Sequence, residues 1–192
     1  QQRILNRQNI HDGTIEKTAS MSWGFVPLTN YQGTDPRAVL EPLSEHLTDY
    51  EQLMIQYYGA GVQACYRGPR LYDTETTRQM VARTINWYKK YRSILNADMI
   101  QLRRADGRDW DGLIHVDPSS KQKALGMLYN PTKEKITRTI PVPLYYTGLT
   151  TTATLALKDD KSTAKKYTLN RNHELLLTVT IEPESYTWFT VE

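Results

Sequence analysis

One cysteine, Cys65, stands in the whole 192-residue chain, so no internal disulfide can form. With no histidine partner near it in sequence, Cys65 reads as a small buried hydrophobe and not as a nucleophile. Phenylalanine is nearly missing, two against thirteen tyrosines and four tryptophans. That skew favours aromatics with a polar edge, which suit surfaces that stack on hydroxylated ligands and suit half-buried strands equally well. Long apolar runs are lacking, and nothing approaches the ~20 residues of a membrane span. Blocks of one charge are lacking too: 24 basic and 21 acidic side chains are interspersed and leave +3. The pairs Arg103-Arg104 and Lys165-Lys166 are short and read as solvated faces, so there is no electrostatic case for nucleic acid. The histidines, His11, His46, His115 and His173, never fall four residues apart, so no zinc site is expected, and no cofactor. The opening "QQRILNRQ" carries neither an initiating Met nor a signal-peptide core, so the chain is expected to be processed or excised from something longer.

What is there divides by periodicity. Hydrophobic residues at 39% and charged residues at 23% are ordinary for a globular protein, and the length suits one ample domain or two small ones. Up to about Asn96, helical and short apolar segments alternate. Residues 23–28, "WGFVPL", read as a buried strand ending in the loop "TNYQGTDP". Residues 36–58 place Leu43, Leu47, Tyr50, Met54 and Tyr57 at three- and four-residue spacings, an amphipathic helix stopped by Gly59. A glycine-flanked strand at 62–65 passes into "YRGPRLYD", then Asp73-Thr74-Glu75 offers a cap for a second helix over 75–95, with Met80, Ile85, Tyr88 and Leu95 on its apolar face. After Asn96 the helical period disappears. Eight strand candidates follow, at 100–103, 113–116, 124–129, 136–140, 153–157, 166–169, 175–181 and 186–191, separated by turn-formers such as "DGRDWDG", "NPTKE" and "KDDKS". Regular short strands without intervening helices argue for an eight-stranded antiparallel β-sandwich over 97–192.

The first half, strand-helix-strand-helix, reads as parallel β/α units, yet two strands cannot bury both faces of a parallel sheet by themselves. In such folds the loops after the strand C-termini carry function, which gives "CYRGPRLYD" a reason to gather aromatic, cationic and anionic groups. The plainer reading is that Arg67, Arg70 and Asp73 only tie the loop together through ion pairs and capping.

The run from "SMSWGFVPL" through "DYEQLMIQYYGAGVQACYRGPRLYDT" and "INWYKKYRSIL", then "RRADGRDWDGLIHVDP", "GMLYNPT", "VPLYYTGL" and "YTWFTVE", resembles the C-terminal portion of large secreted bacterial glycoside hydrolases with an alpha-galactosidase-like layout. The resemblance implies that residues 1–96 are the last two β/α units of a TIM-type barrel and that 97–192 are the sandwich after it. It further implies that the catalytic carboxylates sit on earlier barrel strands, supplied by the same precursor or a second chain, and that the protein is extracellular or periplasmic. Tyr31, Tyr66, Arg67, Arg70 and Asp73 would then line the rim of a sugar site.

A carboxylate pair within this chain would have to come from Asp35, Glu41 and Asp73, and each has a structural explanation as a helix cap or first-turn acid. "DGRDWDG" spaces Asp106, Asp109 and Asp111 somewhat like a calcium loop but lacks the downstream acidic ligand and reads as a hairpin turn, with Trp110 at its tip. Two functions of different class remain open. The sandwich either braces a hydrolase barrel, burying Trp87, Tyr88, Tyr91 and Trp188, or acts alone as a non-catalytic carbohydrate-binding module with an exposed row of aromatics.

Overall fold

In the computed structural model the described residues are 2–14, 23–27, 40–68 and 70–192. Helix α1 (Gln2–Thr14), strand β1 (Trp23–Pro27), helix α2 (Leu47–Tyr58), strand β2 (Gln63–Arg67) and helix α3 (Glu75–Leu95) follow one another. Strands β1 and β2 pair in parallel, from Trp23 opposite Gln63 to Pro27 opposite Arg67.

Helix α2 begins later than its apolar spacing suggests. A single 3₁₀ turn, Leu43–His46, leads into it, and positions 40–42 are not helical. The cause is Pro42, held extended at φ −69° and ψ 138°: proline has no N–H to give and pushes the residue before it out of the helical region. Positions 36–39, the start of the expected helix, lie outside the described residues. At its other end Gly61, at φ +68°, turns the chain so that Val62 N–H donates to the Tyr57 carbonyl at 2.9 Å. A Cβ on Gly61 would lie 2.1 Å from the Leu95 carbonyl oxygen, so the ends of α2 and α3 are fitted together backbone to backbone.

Helix α3 spans the expected residues, with Thr74 as its cap, accepting from the Thr77 N–H at 3.3 Å. Helix α1 is not legible as amphipathic, because its docking is polar: Arg7 grips Asp111 through two bonds of 2.6 and 2.9 Å, and Gln8 donates to the Ala105 carbonyl at 2.7 Å.

All eight expected strands form, seven extended by a residue or more and β8 shifted one residue earlier: β3 (Asp98–Arg103), β4 (Asp111–Val116), β5 (Ala124–Asn130), β6 (Ile136–Pro143), β7 (Thr152–Leu157), β8 (Lys165–Thr168), β9 (Glu174–Ile181) and β10 (Ser185–Val191). They divide six and two. One antiparallel sheet runs β3-β4-β5-β10-β7-β8, and the ribbon β6-β9 lies against one of its faces. Along β5 the side chains alternate: Leu125, Met127 and Tyr129 join the cluster built with α2 and α3, while Ala124 and Leu128 join the ribbon core. The larger sheet is therefore a middle layer, and every residue of β4 and β5 is buried. This explains why those strands read as continuous apolar runs without alternation.

Two side chains fix this middle layer. Gly126 lies under Phe189, which is fully buried, and a Cβ at 126 would sit 2.1 Å from the Phe189 Cζ atom. Gly126→Ala is therefore expected to destabilise the fold by about 1–3 kcal/mol through overpacking. In urea denaturation, Phe189→Leu added to Gly126→Ala should recover part of that loss, and additive losses would contradict the contact.

His115, on β4, is wholly buried, with Nε2 2.8 Å from the Gly59 carbonyl at the end of α2. Burial pushes its pKa below the ordinary 6.5, so the folded protein holds it neutral. As pH falls through 6.5 the unfolded chain takes up this proton first, and stability declines by up to about 1.4 kcal/mol per pH unit until the lowered folded pKa is reached. Stability curves of His115→Gln should lack this slope below pH 6.5; superimposable acid limbs for the two proteins would show that His115 does not stay neutral.

Candidate functional site

Because β1 and β2 are parallel, their C-terminal ends, Pro27 and Arg67, lie together, and the chain enters α2 and α3 from that same end. Asp73 joins the two helix entries. Its Oδ2 accepts from the Ser44 N–H at 2.9 Å and the Ser44 hydroxyl at 3.1 Å, and its Oδ1 accepts from the Thr77 hydroxyl at 2.7 Å. Partial desolvation would raise its pKa, but the Ser44 N–H and the Thr77 and Ser44 hydroxyls outweigh that and hold it at about 2. At neutral pH Asp73 is a fixed anion with both oxygens engaged. It cannot serve as a proton donor.

The remaining expected site residues are placed unevenly. Strand β2 runs two residues further than its apolar run, so Tyr66 and Arg67 end the strand instead of opening the loop. Tyr66 is half-buried with its hydroxyl 2.7 Å from that of Tyr58, whose ring stacks on Tyr88 at 4.8 Å. Burial raises the Tyr66 phenol far above its ordinary value, so it stays neutral and serves as a hydrogen-bonding group. Beneath the loop, the fully buried Tyr50 donates to the Leu71 carbonyl at 2.9 Å and pins it. Arg70 is exposed, and its Nε lies 3.3 Å from Glu41 Oε1. Glu41 precedes the 3₁₀ turn, not within a helix as its sequence position suggested, and is brought beside Arg70. The Arg67 side chain, Tyr31 and Asp35 lie outside the described residues.

Two residues that sequence reasoning passed over stand at this rim: Leu71 and Tyr72, 41% and 49% exposed. A guanidinium, a carboxylate and two phenols at one end can hydrogen-bond and stack on a polyhydroxylated ligand.

The aspartates of "DGRDWDG" do not converge. Asp106 faces Arg103 at 2.6 Å, Asp109 faces Arg138 at 3.1 Å and Asp111 faces Arg7 at 2.6 Å, while the segment forms the β3-β4 hairpin and Trp110 packs on the ribbon core. Among the described residues no group of His, Cys, Asp or Glu could hold a metal ion, and no helix is long and apolar enough to cross a membrane.

The Asp73 tie has a pH signature. Asp73→Asn should lower the melting temperature at neutral pH, and the gap from the parent should close as pH falls from 3.8 through about 2, where the carboxylate's contribution is lost. Equal melting temperatures at pH 7 would contradict the tie.

No known family model and no curated protein sequence matches the chain. Solved structures do. The galactosidase domain of alpha-galactosidase-sucrose kinase, AgaSK, superposes over 98% of this chain and 25% of its own, with a TM-score of 0.64 at 19% identity. The alpha-galactosidase from Lactobacillus brevis gives 0.60 at 14% identity over 98% of this chain and 24% of its own. The GH36 alpha-galactosidase AgaB from Geobacillus stearothermophilus gives 0.60 at 12% identity over the same shares. The fold is thus that of a C-terminal part of an alpha-galactosidase-like glycoside hydrolase, and the chain spans about a quarter of the length of these structures.

Proposed function

We propose that the chain is the C-terminal piece of a secreted, extracellular or periplasmic glycoside hydrolase acting on α-galactoside-type carbohydrate. Residues 1–96 end its catalytic β/α barrel, and residues 97–192 are the sandwich that braces it. The loops after β1 and β2 line the sugar site, with Tyr31, Tyr66, Arg67, Arg70 and Asp73 at the rim. The catalytic carboxylates stand on barrel strands supplied by the rest of the precursor or by a second chain.

The observation that carries this reading is an aromatic seam. Trp188 of β10 lies 5.5 Å from Trp87 and 5.0 Å from Tyr91 of α3, both edge to face, and Tyr91 and Trp188 are only 3% and 9% exposed. Asp159, in the turn after β7, accepts from the Tyr91 hydroxyl at 2.7 Å and from Lys90 at 3.3 Å, closing the seam's edge. A freestanding binding module would turn such a row toward its ligand. Here it joins helix to sheet, as a brace requires. The parallel pair β1-β2 supports the same reading, since a two-stranded parallel sheet needs neighbouring strands to be covered.

The test is hydrolysis of aryl α-galactosides by the native assembly isolated through this chain. Turnover is expected, with Arg70→Ala raising KM about tenfold by removal of a charged hydrogen-bonding group and Trp188→Phe leaving KM unchanged. An assembly without glycosidase activity would sink the proposal.

A further inference from the structure

A cavity of about 360 Å³ opens where α2 meets the β10 side of the sandwich. That volume falls at the small end of the roughly 300–1,000 Å³ typical of small-molecule sites. Its walls are Thr48, Glu51 and Gln52 from the first turns of α2, Tyr186 and Trp188 from β10, and Lys158 from the turn after β7. We propose that this cleft binds a single neutral sugar unit, packed on the half-buried Tyr186 ring beside the edge of Trp188 and hydrogen-bonded to Glu51.

The chemistry selects that ligand class. An aromatic wall beside hydroxyl, carboxylate and ammonium groups matches a ring that is apolar on its faces and polar at its edge. Glu51 and Lys158 place a hydrogen-bond acceptor and a donor in the same small space, which suits the hydroxyls of an uncharged ring. Glu51 has capacity to spare: Tyr186 Oη and the Arg83 guanidinium reach its two oxygens only at 3.4 and 3.5 Å, the outer limit of hydrogen bonding. A sugar hydroxyl can replace either contact with a shorter one. Gln52, by contrast, is committed, donating to the Glu184 carbonyl at 2.6 Å and accepting from Arg3.

The backbone at the lip is held in a costly conformation. Lys158 and Asp159 both adopt left-handed φ, 52° and 56°, where glycine or asparagine would be easier. Asp159 has a structural employment at the seam, and the Lys158 N–H donates to the Trp188 carbonyl at 2.9 Å, fixing Lys158 beside that ring. The Lys158 side chain is exposed and makes no ion pair among the described residues.

The site stands independently of the loop-side sugar site, and the test separates them. In titrations of the whole chain with D-galactose, followed by the Trp188 indole N–H resonance, a saturable shift is expected. Glu51→Gln should weaken binding about tenfold, as expected for loss of a charge-assisted hydrogen bond. Thr48→Tyr, at an exposed helical position, should fill the cleft and abolish the shift with no change in melting temperature. Arg70→Ala should leave the shift intact. An unmoved Trp188 resonance overturns the proposal, as does a shift that survives Thr48→Tyr, disappears with Arg70→Ala, or is reproduced equally by acetate.

Discussion

The fold depends on burying one sheet on both faces. Strands β4, β5 and β10 receive α2 and α3 on one side and the β6-β9 ribbon on the other, so each of their residues must satisfy one of two cores. Phe189 can lie flat in the ribbon core only because its neighbour across the strands, Gly126, has no side chain. Met127, on the opposite face, reaches the end of α2 so closely that a Cβ on Gly59 would lie 2.9 Å from its terminal methyl. Side chains on both faces therefore answer to the same backbone, and the helical and β-rich parts are not separable by a polar gap.

That coupling gives the sandwich a mechanical meaning. The seam of Trp87, Tyr91 and Trp188 and the buried His115–Gly59 bond fix α2 and α3 to the sheet, and Asp73 fixes the entries of those two helices to each other. The position of the loop bearing Arg70 is thus set through two helices by the six-stranded sheet. Rigid support of this kind is what a binding rim needs if its groups are to act without first being ordered.

Much of this was legible in the sequence where one physical signal dominated. The eight strands were readable because turn-formers bracket them, and α3 because its cap and period agree. The six-and-two division was not, since β4 and β5 look the same whether their second face meets helices or another sheet. Helix α1 escaped because ion pairs from its Arg7 to Asp111 and from its Asp12 to Arg104 hold it, and such pairs leave no apolar stripe. At the rim, Arg70 and Asp73 were visible as a charged cluster, but their structural employment, with Glu41 and Ser44, depends on a long-range approach that residue spacing does not encode. The late start of α2 was encoded locally, in Pro42, and was outweighed by the apolar spacing around it.

The proposal that β1 and β2 close a barrel whose other strands lie elsewhere stands or falls on the native mass of the isolated chain, read together with apolar-dye binding. An open parallel pair leaves strand edges and apolar surface uncovered. Self-association or dye binding is expected, and it should disappear when the remaining barrel strands are supplied. A 22.2 kDa compact monomer that binds no dye would contradict it.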